Sequence, residues 1–421
     1  MSTRNKNWQE IVLGDECIIE RGISWQRDQE ENSSKKNVWP VLTIPNIKSR
    51  IDLTNLKYIN GISQHDLKRS MATIGYTIMI GSNGNRTRVG DCCYIDKDLK
   101  ALYASFLIGL VPKQNTKLKS RFLYYLLKTP VFRNRIQGSL IGTTSLSNLR
   151  LSFLRELKFI VPSKNDQNKI VTILEAYDRL IENNSRRIKI LEEMAQNLYR
   201  EWFVNFRFPG YEKTKMIETP QRVIPEGWEI INILNLAEVT YGFGFNSMEF
   251  NSDGLGIPIV RIRDIPMGIS NTYTTEKAND KYHVNNGDLL VGMDGDFHIG
   301  FWVGGKSYLV QRVARFRSLG EICNFHLYFA LKEPIQYFNA TISGTTVSHL
   351  GDRHIRTINV IWPSLKLRIQ TNSIFDTILK QIINLRLRNQ ILNQSRDLIL
   401  PKIISGELDV SEIDIDNEVN K

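Results

Sequence analysis

Cysteine is scarce. Four cysteines (Cys17, Cys92, Cys93 and Cys323) occur in 421 residues, too few for a disulfide framework. None stands in the C-x-x-C spacing of a zinc site, so they are expected to be reduced thiols. No uncharged apolar run approaches the roughly eighteen residues of a membrane span. The N-terminal stretch MSTRNKNWQEIVLGDE has no apolar signal core, so the chain is expected to stay in the cytoplasm. At 42% hydrophobic and 24% charged residues, the composition excludes a disordered or fibrous chain.

Signatures of catalysis are missing as well. There is no G-x-x-x-x-G-K-[ST] phosphate loop, and GFGFNS at 242–247 lacks the last glycine of the dinucleotide pattern. No H-E-x-x-H, nucleophile elbow or N/D-P-P-Y/F tetrapeptide is present, and no acidic pair followed by lysine is convincingly placed. The six histidines are scattered. Asp294, Asp296 and His298 in MDGDFHIG could form an acidic metal cluster, but the corresponding loop of the first half offers Asn83, Asn85 and Thr87. A Gly-rich turn is therefore the simpler reading. A DNA methyltransferase or nuclease with a diverged site remains the alternative of a different class, and a purely protein-binding coiled-coil scaffold a third.

What is present is an uneven charge. The formal net charge is +11, yet residues 1–160 carry 25 basic against 13 acidic side chains, whereas residues 211–362 carry 14 against 16. The first third of the chain holds almost all of the excess, which suggests a polyanionic partner.

The chain also repeats itself. GTTSLSNLRLSFLRELKFIVPS at 142–163 matches GTTVSHLGDRHIRTINVIWPS at 344–364, with Leu149 on Leu350 and Pro162 on Pro363. Upstream, Trp8 and Trp228 open each half. VLTIPNI at 41–47 parallels IVRIRDI at 259–265, and GYTIMIGSNGN at 75–85 parallels GDLLVGMDGD at 287–296. A period near two hundred residues indicates two duplicated domains. Each half mixes short β-like runs broken by Gly, Asn and Asp with amphipathic helical stretches, which predicts an α/β (α+β) fold.

A long helix follows each half. In the first, Leu174, Tyr177, Ile181, Asn184, Ile188, Leu191, Ala195, Leu198 and Trp202 recur at spacings of three and four. In the second, Phe375, Ile378, Ile382, Leu385, Asn389, Leu392, Arg396, Ile399 and Ile403 do the same, with Pro401 expected to stop the helix. This is the coiled-coil pattern. In an antiparallel pair, a constant sum of 573 puts Leu174 on Ile399, Ile181 on Leu392, Ile188 on Leu385 and Leu198 on Phe375. It also sets Asn184 on Asn389. A paired buried Asn costs stability but fixes register. Each helix should be about 50 Å long.

GTTSLSNL…IVPS followed by a helix ending LYREWF, and GTTVSHL…VIWPS followed by LILPKIISGELDV, resemble the specificity subunits of type I restriction-modification systems. The resemblance covers nearly the whole chain. It departs from the family at VPSKNDQ (161–167) and WPSLKLRIQ (362–370), where only Gln167 and Gln370 match an expected Glu-Gln element. It implies a target recognition domain at 1–162, a central spacer helix at 163–205, a linker at 206–224, a second recognition domain at 225–363, a C-terminal spacer helix at 364–402 and a tail at 403–421. It implies a non-catalytic subunit that reads a bipartite double-stranded DNA target and docks methyltransferase subunits and an endonuclease-translocase subunit. S-adenosylmethionine, ATP and Mg²⁺ would then belong to those partners, with no cofactor or metal here.

Arg pairs well with guanine and Asn with adenine, while Lys and Arg also hold phosphates. On that basis the candidate DNA contacts of the first half are Lys48, Arg50, Ser82, Asn83, Asn85, Arg86 and Arg88. In the second half they are Arg261, Arg263, Asp264, Asp294 and His298, with Asp296 beside them. Thr143, Thr144 and Ser145, with Thr345, Thr346 and Ser348, could donate to phosphates or cap the following turn.

Overall fold

The computed structural model describes residues 8–413 except 144–145, 321 and 343–347. The chain forms two compact units, Met1–Arg179 with Leu392–Lys421, and Leu180–Ile391.

The first unit is organised by a four-stranded antiparallel sheet in the order Cys17–Arg21, Leu107–Pro112, Thr77–Ile80, Cys92–Tyr94. Its central strands read as unbroken apolar runs because both faces are covered. Thr77–Ile80 is buried at every position, and Leu107–Leu110 likewise. A five-stranded sheet lies in the order Glu30–Glu31, Lys57–Ile59, Trp39–Leu42, Ala101–Tyr103, Met71–Ala72, with one parallel pairing between Val41 and Leu102. A two-stranded ribbon joins Gln9–Val12 to Lys158–Val161. Helices Ser120–Leu127 and Pro130–Ser139 supply Phe122, Leu123, Leu127, Phe132 and Ile136 to the core.

The second unit repeats this topology. Its four-stranded sheet runs Ala237–Tyr241, Val313–Ser318, Leu289–Gly292, Ile299–Phe301, and its five-stranded sheet holds one parallel pair, Ile259 beside Tyr308. Glu229–Asn232 and Asn359–Trp362 form the matching ribbon. Gly75 and Gly287, aligned by the repeat, both open their strand at a φ near +90° that favours glycine. Downstream of Leu149 and Leu350 the repeated segments also fold alike: a short helix (Leu151–Glu156, Asp352–Ile355), the ribbon strand, then the long helix.

The long helices run Lys164–Tyr199 and Leu365–Ser405. At 36 residues and 1.5 Å per residue the first is about 54 Å long. Ser163 caps it: the Asp166 amide donates to Ser163 Oγ at 3.2 Å, and the hydroxyl donates to the Asp166 carboxylate at 2.8 Å. Gln167 is fully buried and its amide is saturated by Lys119 N, Lys117 O and Pro162 O, whereas Gln370 is exposed. A single turn of π-helix, Arg200–Val204, follows the first helix.

The helices pair antiparallel in the expected register. Within the second unit, Asn184 Nδ2 donates to Asn389 Oδ1 at 2.9 Å, and Asn389 Nδ2 reaches Ile181 O and Ser185 Oγ. Phe375, Ile382 and Leu385 are buried there, with Ile188, Leu191 and Leu198 packed against the same core. Within the first unit, Leu174 is buried and Ile399 packs on the same cluster. Arg396 turns its guanidinium to Asp178 at 2.8 Å rather than to Tyr177.

One point differs from expectation. Pro401 lies inside the second helix, which continues to Ser405. A proline here forfeits one backbone bond, but burial of Leu400, Ile403 and Ile404 in the first unit's core holds the last turn. Gly406, at φ +76° with Trp8 packed on it, ends the helix instead. The division between units falls inside both long helices, at 179/180 and 391/392, so each unit takes part of each helix into its own body.

Candidate nucleic-acid interface

In the first unit the loop after Thr77–Ile80 is braced from several sides. Asn83 Oδ1 accepts the Asn85 amide at 2.7 Å, and Asn85 Oδ1 caps the short Arg86–Arg88 turn by accepting Thr87 N and Thr87 Oγ1. Arg86 donates to Gln137 O at 2.7 Å, and Gln137 returns a bond to Arg86 O. Arg88 donates to Ile47 O at 2.8 Å and faces Asp91 at 3.5 Å. That bond ties the loop to the turn bearing Lys48 and Arg50, where Lys48 pairs with Asp52 at 2.6 Å. Lys48, Arg50, Asn85 and Arg86 are exposed. The structure thus brings the expected residues of the first half together.

Ser82 is the exception. It is buried, its hydroxyl donates to Asn148 Oδ1 at 2.9 Å, and it has no free face for DNA. The short pairing of Ser82–Asn83 with Leu146–Asn148 explains why. Arg21 completes this clamp: it donates to Asn148 Oδ1 at 2.5 Å, Leu149 O at 2.7 Å, Ser105 O at 3.1 Å and Ser82 Oγ at 3.3 Å. Thr143 ends the strand Ile141–Thr143, while Thr144 and Ser145 lie outside the described residues.

In the second unit the expected residues divide. Arg261 is turned toward Thr272 and Asp264, and burial lowers its pKa. Asp264 accepts the Arg261 amide at 3.0 Å, so both serve the Ile262–Asp264 turn. Arg263 is exposed. Asp294 is shared between His349 Nδ1 at 2.5 Å and Arg312 Nε at 3.3 Å. Asp296 is exposed, and the His298 amide donates to Asp296 O. Ser348 donates to Ile342 O at 2.9 Å, while Thr345 and Thr346 lie outside the described residues. Among the described residues no group of three His, Cys, Asp or Glu could hold a metal ion.

Arg21, Arg133, Asn148, Arg312 and His349 escaped sequence reasoning. Arg133 donates to Thr87 O and pairs with Asp91 at 2.8 Å. The one available signal was the repeat itself, since it aligns Asn148 with His349 just before the matched leucines. Both meet the loop after the same strand, as Asn148 pairs with Ser82 and His349 with Asp294.

The buried thiols of Cys17, Cys92 and Cys93 are pushed up to about 12 by desolvation, far from the range of a reactive thiolate.

Two units with the same four- and five-stranded sheet orders, each presenting one braced loop, match a known pattern. The type I restriction modification DNA specificity domain aligns with this chain twice, over residues 5–193 and 225–394. The chain belongs to that family. The two matches follow the two halves of the duplication, and the chain is the DNA-recognition component rather than the catalytic one. It is similar to the MjaIX specificity subunit of Methanocaldococcus jannaschii, 26% identical over 72% of each chain. It is 33% identical to the EcoBI specificity subunit of Escherichia coli, over 44% of this chain and 40% of that one. The HindI specificity subunit of Haemophilus influenzae matches at 21% identity over 96% of this chain and all of its own. The crystal structure of the type I restriction-modification S subunit from M. genitalium shares the fold, with a TM-score of 0.60 and 17% identity over 96% of this chain and 98% of that chain. No helix among the described residues is long and apolar enough to cross a membrane.

Proposed function

We propose that the two domains read one split double-stranded DNA target, one half-site each, for a type I restriction-modification complex. The observation that carries this reading is the repeated presentation of a loop: the same strand order sets a braced loop beside the end of the G-T-T segment in both units. In the first, Lys48, Arg50 and Asn85 supply phosphate and base donors, while Arg86 braces the loop through Gln137 O. In the second, Arg263 and Asp296 are the exposed candidates.

Methyltransferase subunits dock on the long helices, and the endonuclease-translocase subunit joins that core. Leu180, Ile190, Met194 and Ile391 are exposed on the helices of the second unit, and Leu398 on that of the first. Coiled-coil outer faces are ordinarily polar, so these side chains favour a protein partner. S-adenosylmethionine, ATP and Mg²⁺ are carried by the partners, in the cytoplasm, and this chain supplies recognition.

Footprinting of the full chain with its methyltransferase subunits tests the reading. Two protected segments on one duplex are expected, and a single contiguous footprint contradicts it. Ile190→Asp with Met194→Asp should abolish subunit association while leaving the melting profile of the chain intact.

A further inference from the structure

The duplication aligns one tight turn that the loops above do not include. In the first domain Leu107 N bonds Ala104 O, placing Ser105 and Phe106 at the corners of a β-turn. In the second, Val313 N bonds Val310 O around Gln311 and Arg312. The surrounding backbone bonds correspond one for one. Ser105 N meets Ile23 O where Gln311 N meets Phe243 O, and Ala104 N meets Leu42 O where Val310 N meets Val260 O. Phe106 O accepts the Gly81 amide at 2.8 Å, just as Arg312 O accepts the Met293 amide at 2.9 Å. Phe106 and Arg312 therefore hold the same place, each bonded through its carbonyl to the start of the loop already described.

Both side chains point away from their cores. Phe106 is 50% exposed, and the Arg312 side chain is 50% exposed. Arg312 stands at φ +76°, a conformation that glycine adopts at no steric cost and arginine does not. Phe106 occupies the same place without a positive φ. An arginine kept at a glycine position implies that its side chain is used. Asp294 grips its Nε at 3.3 Å, while its two Nη groups make no hydrogen bond among the described residues. A guanidinium held through Nε, with both Nη groups unbonded among the described residues, is set for a bidentate acceptor, which guanine O6 and N7 provide. A half-exposed phenyl ring on a rigid turn, with Arg21 bonded to the preceding carbonyl, is set for the apolar edge of a base, the thymine methyl.

We infer that Phe106 and Arg312 are equivalent specificity-determining positions, Phe106 reading a T·A pair in one half-site and Arg312 a G·C pair in the other. Asp294, a candidate DNA contact from the sequence, becomes the positioning residue for Arg312. The inference rests on the reading that these loops face DNA, and its test separates the two.

The full chain, assembled with its methyltransferase subunits, is given a pool of duplexes with randomised sequence, and the methylated molecules are sequenced. Phe106→Ala should weaken selectivity about fivefold at one T·A pair, and Arg312→Ala about tenfold or more at one G·C pair of the other half-site, with all other positions unchanged. Phe106→Leu should keep part of its preference. Arg312→Lys, which keeps the charge but loses the fork, should behave as alanine. Full selectivity in Arg312→Lys marks a phosphate contact and overturns the base reading. Unchanged preference in both alanine variants, or equal loss at every position, also overturns it. A wild-type complex that selects no split target instead refutes the proposed function itself. Because both side chains are half-exposed, melting curves should match the wild type.

Discussion

The two recognition domains share the strand order of their four- and five-stranded sheets and of their ribbon, and differ in almost everything that touches their loops. The first carries nearly all of the chain's positive charge, with 25 basic against 13 acidic side chains over residues 1–160, and the second carries 14 against 16 over residues 211–362. At the end of the first strand of the four-stranded sheet, one has Arg21 and the other Tyr241. Arg21 holds four acceptors around Ser82 and Asn148, whereas the Tyr241 hydroxyl holds Asp352 alone, at 2.5 Å. Five of the six histidines lie in the second half, the sixth being His65. The two loop frames share their backbone bonds and differ in the side chains that brace them.

The largest expected effect comes from removing the clamp that only the first domain has. Arg21→Ala leaves Asn148 Oδ1 with the Ser82 hydroxyl and strands the Ser105 and Leu149 carbonyls, and charge-assisted bonds of this kind are worth about 3 kcal/mol together. Calorimetry should show the first domain's transition lowered and the second's unmoved, and half-site methylation should fail on one side only. Tyr241→Phe, the matching change, should cost about 1 kcal/mol.

Salt should separate the domains next. Affinity for DNA falls with salt in proportion to the phosphates neutralised. Raising salt from 50 to 200 mM should weaken contacts at the first half-site by about a hundredfold, and at the second only a few-fold. The second domain then depends on partner subunits for phosphate contacts. Equal salt slopes on duplexes carrying one intact half-site would remove the electrostatic distinction.

Acid gives a smaller difference. His326 is buried among Tyr199, Phe203, Trp362 and Phe375, and desolvation pushes its pKa down to about 3. Above the unfolded value near 6.5 it costs nothing. As pH falls below that value the unfolded chain takes up a proton that the folded chain refuses, so the second domain should lose about 2 kcal/mol between pH 7 and 5. In the first domain, Asp66 and Glu16 are held below their ordinary values, so their contribution fades only below about pH 4. Circular dichroism on acidification should show the second domain melting first, and His326→Phe should reduce the gap.

Much of this architecture is legible in the residues alone. The repeat aligned strands that do fold alike, and the two asparagines of the helical seams meet because a register slip would set each amide against apolar neighbours. The loops were less legible. Arg86 and Arg88 are spent on Gln137 O and Ile47 O, 51 and 41 residues away in the chain, and no local pattern reports such bonds. Ser82 looks like a surface donor until Leu146–Asn148 pairs over it. Pro401 reads as a stop until burial of its neighbours is counted.

The central claim is that one chain reads a split target with two domains. Base-resolution mapping of methylation on genomic DNA, modified by the full chain with its methyltransferase subunits, tests it most directly. The account predicts one motif of two specified segments separated by unspecified bases, with Arg21→Ala erasing only one segment. A contiguous motif, or joint loss of both segments in Arg21→Ala, would contradict it.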